Sequence, residues 1–144
     1  MLPCFPATAM LLLTSGQQAG EGLVTERIRD VAGLDVEASK QFFERLKQAI
    51  LSGNRLAVSK MMRYPLKANI SDHRCKSVAS PEEFLQHYDE IINKSVVKAI
   101  RDQEFSKLFI NSRGIMVGRG EFWINAKRDS NSKPGRMFVI TVNN

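Results

Sequence analysis

An α+β fold is predicted for this chain, a curved antiparallel sheet with the N-terminal helices packed over its concave face. Three observations predict it. Leu108–Ala126, LFINSRGIMVGRGEFWINA, alternates apolar and polar residues and is rich in Ile, Phe, Val and Trp, the pattern of a pleated strand. Its glycines, Gly114, Gly118 and Gly120, fall where a turn and then a bend would sit, which reads as a strand, a turn and a long strand kinked at Gly118–Gly120. Upstream, Phe42, Phe43, Leu46, Ala49 and Ile50 recur at helical spacing and give a helix one apolar stripe to lay on that sheet.

The length, 144 residues, suits one domain able to bury a core without disulfides or metal. Its boundaries read as 23–144, preceded by an arm, residues 1–22. Within the arm, Phe5–Thr14 is a short apolar run followed by the small and polar residues Thr14–Gly20, as around an export signal. No Lys or Arg precedes that run, and Pro3 and Pro6 interrupt its start. Export to the periplasm or beyond is the expectation. In a cytoplasmic protein the run would instead pack on the domain or on a partner. No apolar stretch is long enough to span a membrane as a helix.

Leu23–Val36 is a weakly helical lead-in, and Glu37–Ser52 is a strong amphipathic helix with Glu44, Arg45, Lys47 and Gln48 outside. Ser52-Gly53-Asn54 ends it with a residue at ease with positive φ. Arg55–Met62 forms a short helix burying Leu56, Val58 or Met61, and Met62, and Pro65 stops it. Tyr64–Ile70 alternates as a strand, with Pro65 suited to an edge or to the first position. Ser80-Pro81-Glu82-Glu83 starts the next helix: Ser80 caps, Pro81 suits the first turn, and Glu83 stands at the reciprocal capping position. That helix buries Phe84, Tyr88, Ile91 and Ile92, and Ser95–Phe105 continues with Val96, Val97 and Ile100 inward. After the glycine-rich sheet, a polar loop, Lys127–Gly135, joins a last strand, Arg136–Val142, as an antiparallel hairpin.

The net charge of +6 is unevenly placed. Arg45–Lys76 carries eight basic residues against Asp72 alone, a segment suited to an acidic protein partner. No stretch interleaves aromatic and basic residues in a recognition motif, which argues against nucleic acid. The two cysteines, Cys4 and Cys75, lack CxxC spacing, and neither His73 nor His87 has a second ligand at metal spacing, so no metal site is expected. Cys75 sits in the basic run His73–Lys76, and a Cys4–Cys75 disulfide stays open. The glycines lie within strands rather than before a helix, so no phosphate loop and no cofactor are expected.

Two roles fit Tyr88–Asp89. Tyr88 shares the inward helical face and Asp89 stands at its edge, so a desolvated Asp89 would be a general base beside a phenol. Alternatively Tyr88 is core and Asp89 is helix surface. Arg119, Glu121 and Trp123 alternate and would share one face of the kinked strand: on the concave face a polar pocket floor with an aromatic wall, on the convex face solvated Arg119 and Glu121 with Trp123 packed on a helix or a second subunit. Tyr64, beside Arg63, would add a phenol at a pocket rim, or simply start the strand as a β-former, the reading the residues favour. The opposite face of the same strand, Phe122 and Ile124, is equally apolar, which suggests that both faces are covered, one of them by a partner.

The residues Phe42–Phe43, Leu51–Asn54, Tyr64–Leu66, Ser80–Phe84, Tyr88–Asp89 and Gly114–Trp123, read together, resemble the nuclear-transport-factor-2-like superfamily, and within it small bacterial proteins. The resemblance covers about Glu37–Asn143. It implies a cone-shaped α+β fold shared with ketosteroid isomerase and scytalone dehydratase. In the isomerase an Asp base faces a Tyr and a protonated Asp, but no matching aspartate lies between Lys107 and Ala126, and the His–Asp pair of a dehydratase is missing too. The resulting expectation is a non-catalytic module, homodimeric through its sheet, that binds a small apolar ligand or a protein. The alternative is a small isomerase- or dehydratase-type enzyme using Asp89 with Tyr88 or Tyr64.

Overall fold

The computed structural model describes residues 15–70, 74–128 and 134–144. The chain opens with three helices, α1 (Ser15–Asp30), α2 (Val36–Leu51) and α3 (Arg55–Lys60), followed by the hairpin β1 (Met62–Ile70) and β2 (Arg74–Val78). Three more helices follow, α4 (Pro81–Gln86), α5 (Tyr88–Ile91) and α6 (Lys94–Asp102). A 3-10 turn, Phe105–Lys107, then leads to β3 (Phe109–Asn111), β4 (Gly114–Val117), β5 (Phe122–Arg128) and β6 (Pro134–Asn143). All six strands join one open sheet in the order β2-β1-β6-β5-β4-β3. The α+β class is as expected. No helix among the described residues is long and apolar enough to cross a membrane.

The local signals act as written. Asp35 caps α2 by accepting from Ala38 N at 2.7 Å, and the helix buries Phe42, Phe43, Leu46, Ala49 and Ile50. Gly53, at φ +72°, reverses the chain so that Asn54 N reaches the Ala49 carbonyl at 2.9 Å, and Asn54 then caps α3. Ser80 caps α4 through Glu83 N, while the Glu83 carboxylate accepts from Ala79 N, one residue upstream of the usual partner. The burial of Phe84, Tyr88, Ile91, Ile92, Val96 and Ile100 follows their spacing, and Val97 is half-buried.

Several expectations are corrected. The sheet is mixed: β1 runs parallel to β6, with Ala68 opposite Val142, and the other pairings are antiparallel. Helices α4–α6 carry the chain back to the far edge before the last four strands, so the final strand returns beside the first. β1 is therefore interior from Leu66 onward, while Pro65, one residue before the β2 pairing begins, keeps one flank open as at an edge. It lies in the register break between Met62 and Lys67, where no ladder hydrogen bond is lost. The kinked long strand does not exist. Residues 118–121 form a turn that separates β4 from β5, because positive φ at Gly118 and Gly120 (64° and 116°) reverses the chain instead of bending it. α1 begins at Ser15, within the residues assigned to the arm, and buries Val24 and Ile28. Leu56 is exposed, since α3 is a single short helix with Val58 as its inward residue. His87 interrupts the helix between Phe84 and Ile91.

Alternation divides the sheet into two unlike faces. Leu66, Ala68, Val78, Ile110, Ile115, Val117, Phe122, Ile124, Val139 and Val142 are buried beneath the helices. Phe109, Met116, Trp123, Phe138 and Ile140 point the other way and are half-buried or exposed. Opposite Trp123 and Ile124, β6 carries one extra residue, Ile140, a bulge that keeps Val139 and Val142 both inward. Gly114 marks the tightest approach. It has φ +126°, and a Cβ there would stand 2.1 Å from the Ile124 carbonyl oxygen. Gly114→Ala is expected to cost about 2 kcal/mol or more, read as a lowered urea midpoint with an unchanged slope.

Candidate functional site

Helix α5 holds Tyr88 and Asp89 on different sides. Tyr88 is buried, its ring edge-on to Phe84 at 5.7 Å. The Asp89 side chain is 80% exposed. Arg55, the first residue of α3, lies over the Tyr88 ring at 4.7 Å and grips both Asp89 oxygens, at 2.7 and 3.2 Å. A general base with raised affinity for a proton needs burial away from cations, and Asp89 has neither condition. The neighbouring His87 makes a 3.3 Å contact with Glu90 at the surface. This cluster ties α3 to α5; it is not arranged for proton abstraction.

Tyr64 donates its hydroxyl to the Ser59 carbonyl at 2.6 Å, fastening β1 back onto α3. Burial, with a smaller contribution from Glu82, pushes its phenol well above the usual tyrosine range. Burial also raises Tyr88, helped by Asp89 and opposed by Arg55. Arg119, Glu121 and Trp123 do not share a face. Arg119 and Glu121 belong to the turn after β4, where the Glu121 carboxylate accepts from Arg119 N. Glu121 lies on the helix side, against Ala99 and Gly118, and Gly118 N is bonded by Gln103 Oε1 at 2.8 Å. Trp123, on β5, lies on the helix-free side beside Met116 and Gly120. The five residues expected to line one pocket are thus distributed over separate parts of the surface.

What the fold does assemble is a groove of about 970 Å³ between α2, α3 and the start of β6. The first β1–β6 pair is Met62 with Val139, so the beginning of β6 extends past the end of β1 and leaves this space open. Its lining is apolar at Phe42, Ala49, Leu51, Ala57, Met61 and Met137. Arg45, Lys60 and Arg136 also line it, and no described Asp or Glu does. Sequence reasoning placed Phe42 and Ala49 in the core but had no means of pairing them with Met137, far along the chain. The small residues Ala49 and Ala57, on facing helices, were the signal that a gap would remain. The basic run Arg45–Lys76 does not form one patch. Arg55 is spent on Asp89, Lys47 donates to the Gln103 carbonyl, Lys67 lies on the sheet, and only Arg45 and Lys60 meet at the groove.

Cys75 is exposed on β2, and Cys4 and His73 lie outside the described residues. Among the described residues no three His, Cys, Asp or Glu side chains gather as metal ligands. Comparison of the chain with protein-family models, curated proteins and solved structures finds no match.

Two outcomes follow. Asp89→Asn is expected to change unfolding free energy by less than about 1 kcal/mol, since the pair it breaks is solvated. The two tyrosines, both raised by burial and Tyr64 the more strongly, are expected to ionise at higher pH in the folded protein than once unfolded, where they titrate near 10. Their proton affinity is greater in the fold, so stability should be intact below about pH 10 and decline above it. Absorbance titration with and without guanidinium checks the first point, and denaturation at rising pH the second.

Proposed function

We propose that this protein is a non-catalytic binding module of the nuclear-transport-factor-2-like kind, and that its ligand is a small amphipathic anion held in the groove between α2, α3 and β6. Support for the kinship comes from the order of elements: helices, a hairpin, further helices, then a run of strands, all on one sheet. The observation that carries the ligand class is the groove lining, with apolar side chains along Phe42, Met61 and Met137 and cations at Arg45, Lys60 and Arg136 without a described carboxylate among them. An apolar chain gains by leaving water there, and an anionic head gains a cationic partner at low entropic cost. The isomerase or dehydratase alternative finds no support in the placement of Asp89.

Calorimetric titration with decanoate and with decanol tests this reading. Decanoate should bind more tightly than decanol. Reversing charge at Arg45 and Lys60 to Glu should weaken decanoate about tenfold and leave decanol nearly unchanged. Ala57→Trp, which fills the groove, should abolish both. A folded protein that binds neither compound, or whose affinity is indifferent to these substitutions, would overturn the proposal.

A further inference from the structure

The six strands contain Arg63, Lys67, Arg74, Lys76, Lys127, Arg128 and Arg136, and not one Asp or Glu. Every described acidic residue lies in a helix, a turn or a connection. Among the described residues the strands therefore give the helix-free face cations, Lys67 and Lys127 among them, and no carboxylate. It is also aromatic. Cross-strand pairing sets Phe109 beside Met116, Met116 beside Trp123, and Trp123 beside Thr141, which pairs in turn with Lys67. That row crosses five strands. Phe138, opposite Asn125, stands diagonally from Trp123, with the Arg136 guanidinium 5.4 Å from its ring centre. Lys127 alternates outward from Ala126 and is exposed.

Around Trp123 the face is hollowed. A depression of about 330 Å³ is lined by Lys67, Asn69, Arg113, Trp123, Thr141 and Asn143, with Ile140 beneath. Two cations flank one indole, and amide and hydroxyl groups complete the rim. Glu121, the nearest carboxylate in sequence, is directed to the helix side against Gly118 and Ala99.

We propose that this sheet face binds single-stranded nucleic acid, with bases stacked on Trp123, Phe138 and Phe109 and phosphates against Lys67, Arg113, Lys127 and Arg136. An open sheet bearing aromatic side chains offers flat apolar surfaces that any base can cover, and the surrounding cations follow the backbone. The interleaving that no single stretch of sequence displays is assembled across strands. A second copy of the chain fits this face poorly. Two such faces packed together would bring the cations of one copy, Lys67 and Lys127, against those of the other, with no described acidic residue on the face to meet them. A partner with regularly spaced negative charge and planar apolar groups satisfies both features. The assignment shares with the groove only Arg136, which lines the groove and lies beside Phe138.

Titration of the protein with a fluorescein-labelled oligo(dT), followed by anisotropy and by Trp123 emission, tests the proposal. Binding should quench Trp123, the chain's one tryptophan. The slope of log affinity against log salt should be about −2 to −3, for three or four phosphates neutralised. Trp123→Ala should weaken oligonucleotide binding about ten- to a hundredfold, while affinity for inorganic polyphosphate, which has charge but no bases, stays unchanged. Lys67→Glu with Lys127→Glu, both at exposed positions, should weaken binding of both polymers, with circular dichroism confirming the fold. Equal loss of both polymers in Trp123→Ala, or oligonucleotide binding no tighter than polyphosphate, would reduce the face to a general anion surface and overturn the proposal. So would a stable dimer that occludes Trp123, or no binding at low salt.

Discussion

β6 is hydrogen-bonded along both of its sides, parallel to β1 and antiparallel to β5, and the two parts of the sheet meet only through it. The N-terminal hairpin and the β3–β5 meander have no other edge in common. Because β6 is also the last strand, joining them requires pairing between distant parts of the chain. Such pairing costs loop-closure entropy before it returns any contact energy. The backbone shows how the register is held: Val139 N donates to the Met61 carbonyl at 2.9 Å, and Asn144 N to the Asn69 carbonyl at 2.9 Å. Asn69 and Asn143 add a side-chain bond between the same strands.

The bulge at Ile140 matters because it preserves phase. Without the extra residue, a strand paired at Phe122–Val142 would set Val139 opposite Asn125, turned outward, and break the buried layer. With it, ten residues of β6 keep one face apolar beneath the helices and give the other face to Phe138, Ile140 and Thr141. The groove and the aromatic face are both consequences of β6. The first opens where β6 runs past β1, and the second depends on which side chains β6 and β5 leave uncovered.

Local chemistry was legible in the sequence wherever it depends on near neighbours. The stripe of α2, the Gly53 reversal, the Ser80 cap and the burial of Phe84, Tyr88 and Ile91 need only spacing and capping rules. The parallel pairing of β1 with β6 was not legible, because nothing in Leu66–Ile70 distinguishes an antiparallel from a parallel neighbour. The glycines Gly118 and Gly120 signalled a departure from strand geometry but not its extent, since a bulge and a four-residue turn both use positive φ. That ambiguity shifted Arg119 and Glu121 off the strand, so the depression at Trp123 is lined by other residues than those expected. Asp89 illustrates the same limit: helical phase placed it at the edge of the core, and only the tertiary fold supplied its partner Arg55. Charge segregation onto the sheet was visible in principle, as strands without a single carboxylate. It acquires meaning only once alternation assigns each side chain to a face.

The account rests most heavily on one face of the sheet being open, apolar and cationic, and Trp123 is a built-in reporter of it. Quenching of its fluorescence by iodide and by caesium, compared with neutral acrylamide, reads the exposure and the sign of the local potential together. The account predicts moderate quenching by acrylamide, stronger quenching by iodide at low ionic strength, very little by caesium, and convergence of the two ions as inert salt is added. An indole shielded from all three quenchers, or one reached more readily by caesium than by iodide, would contradict it.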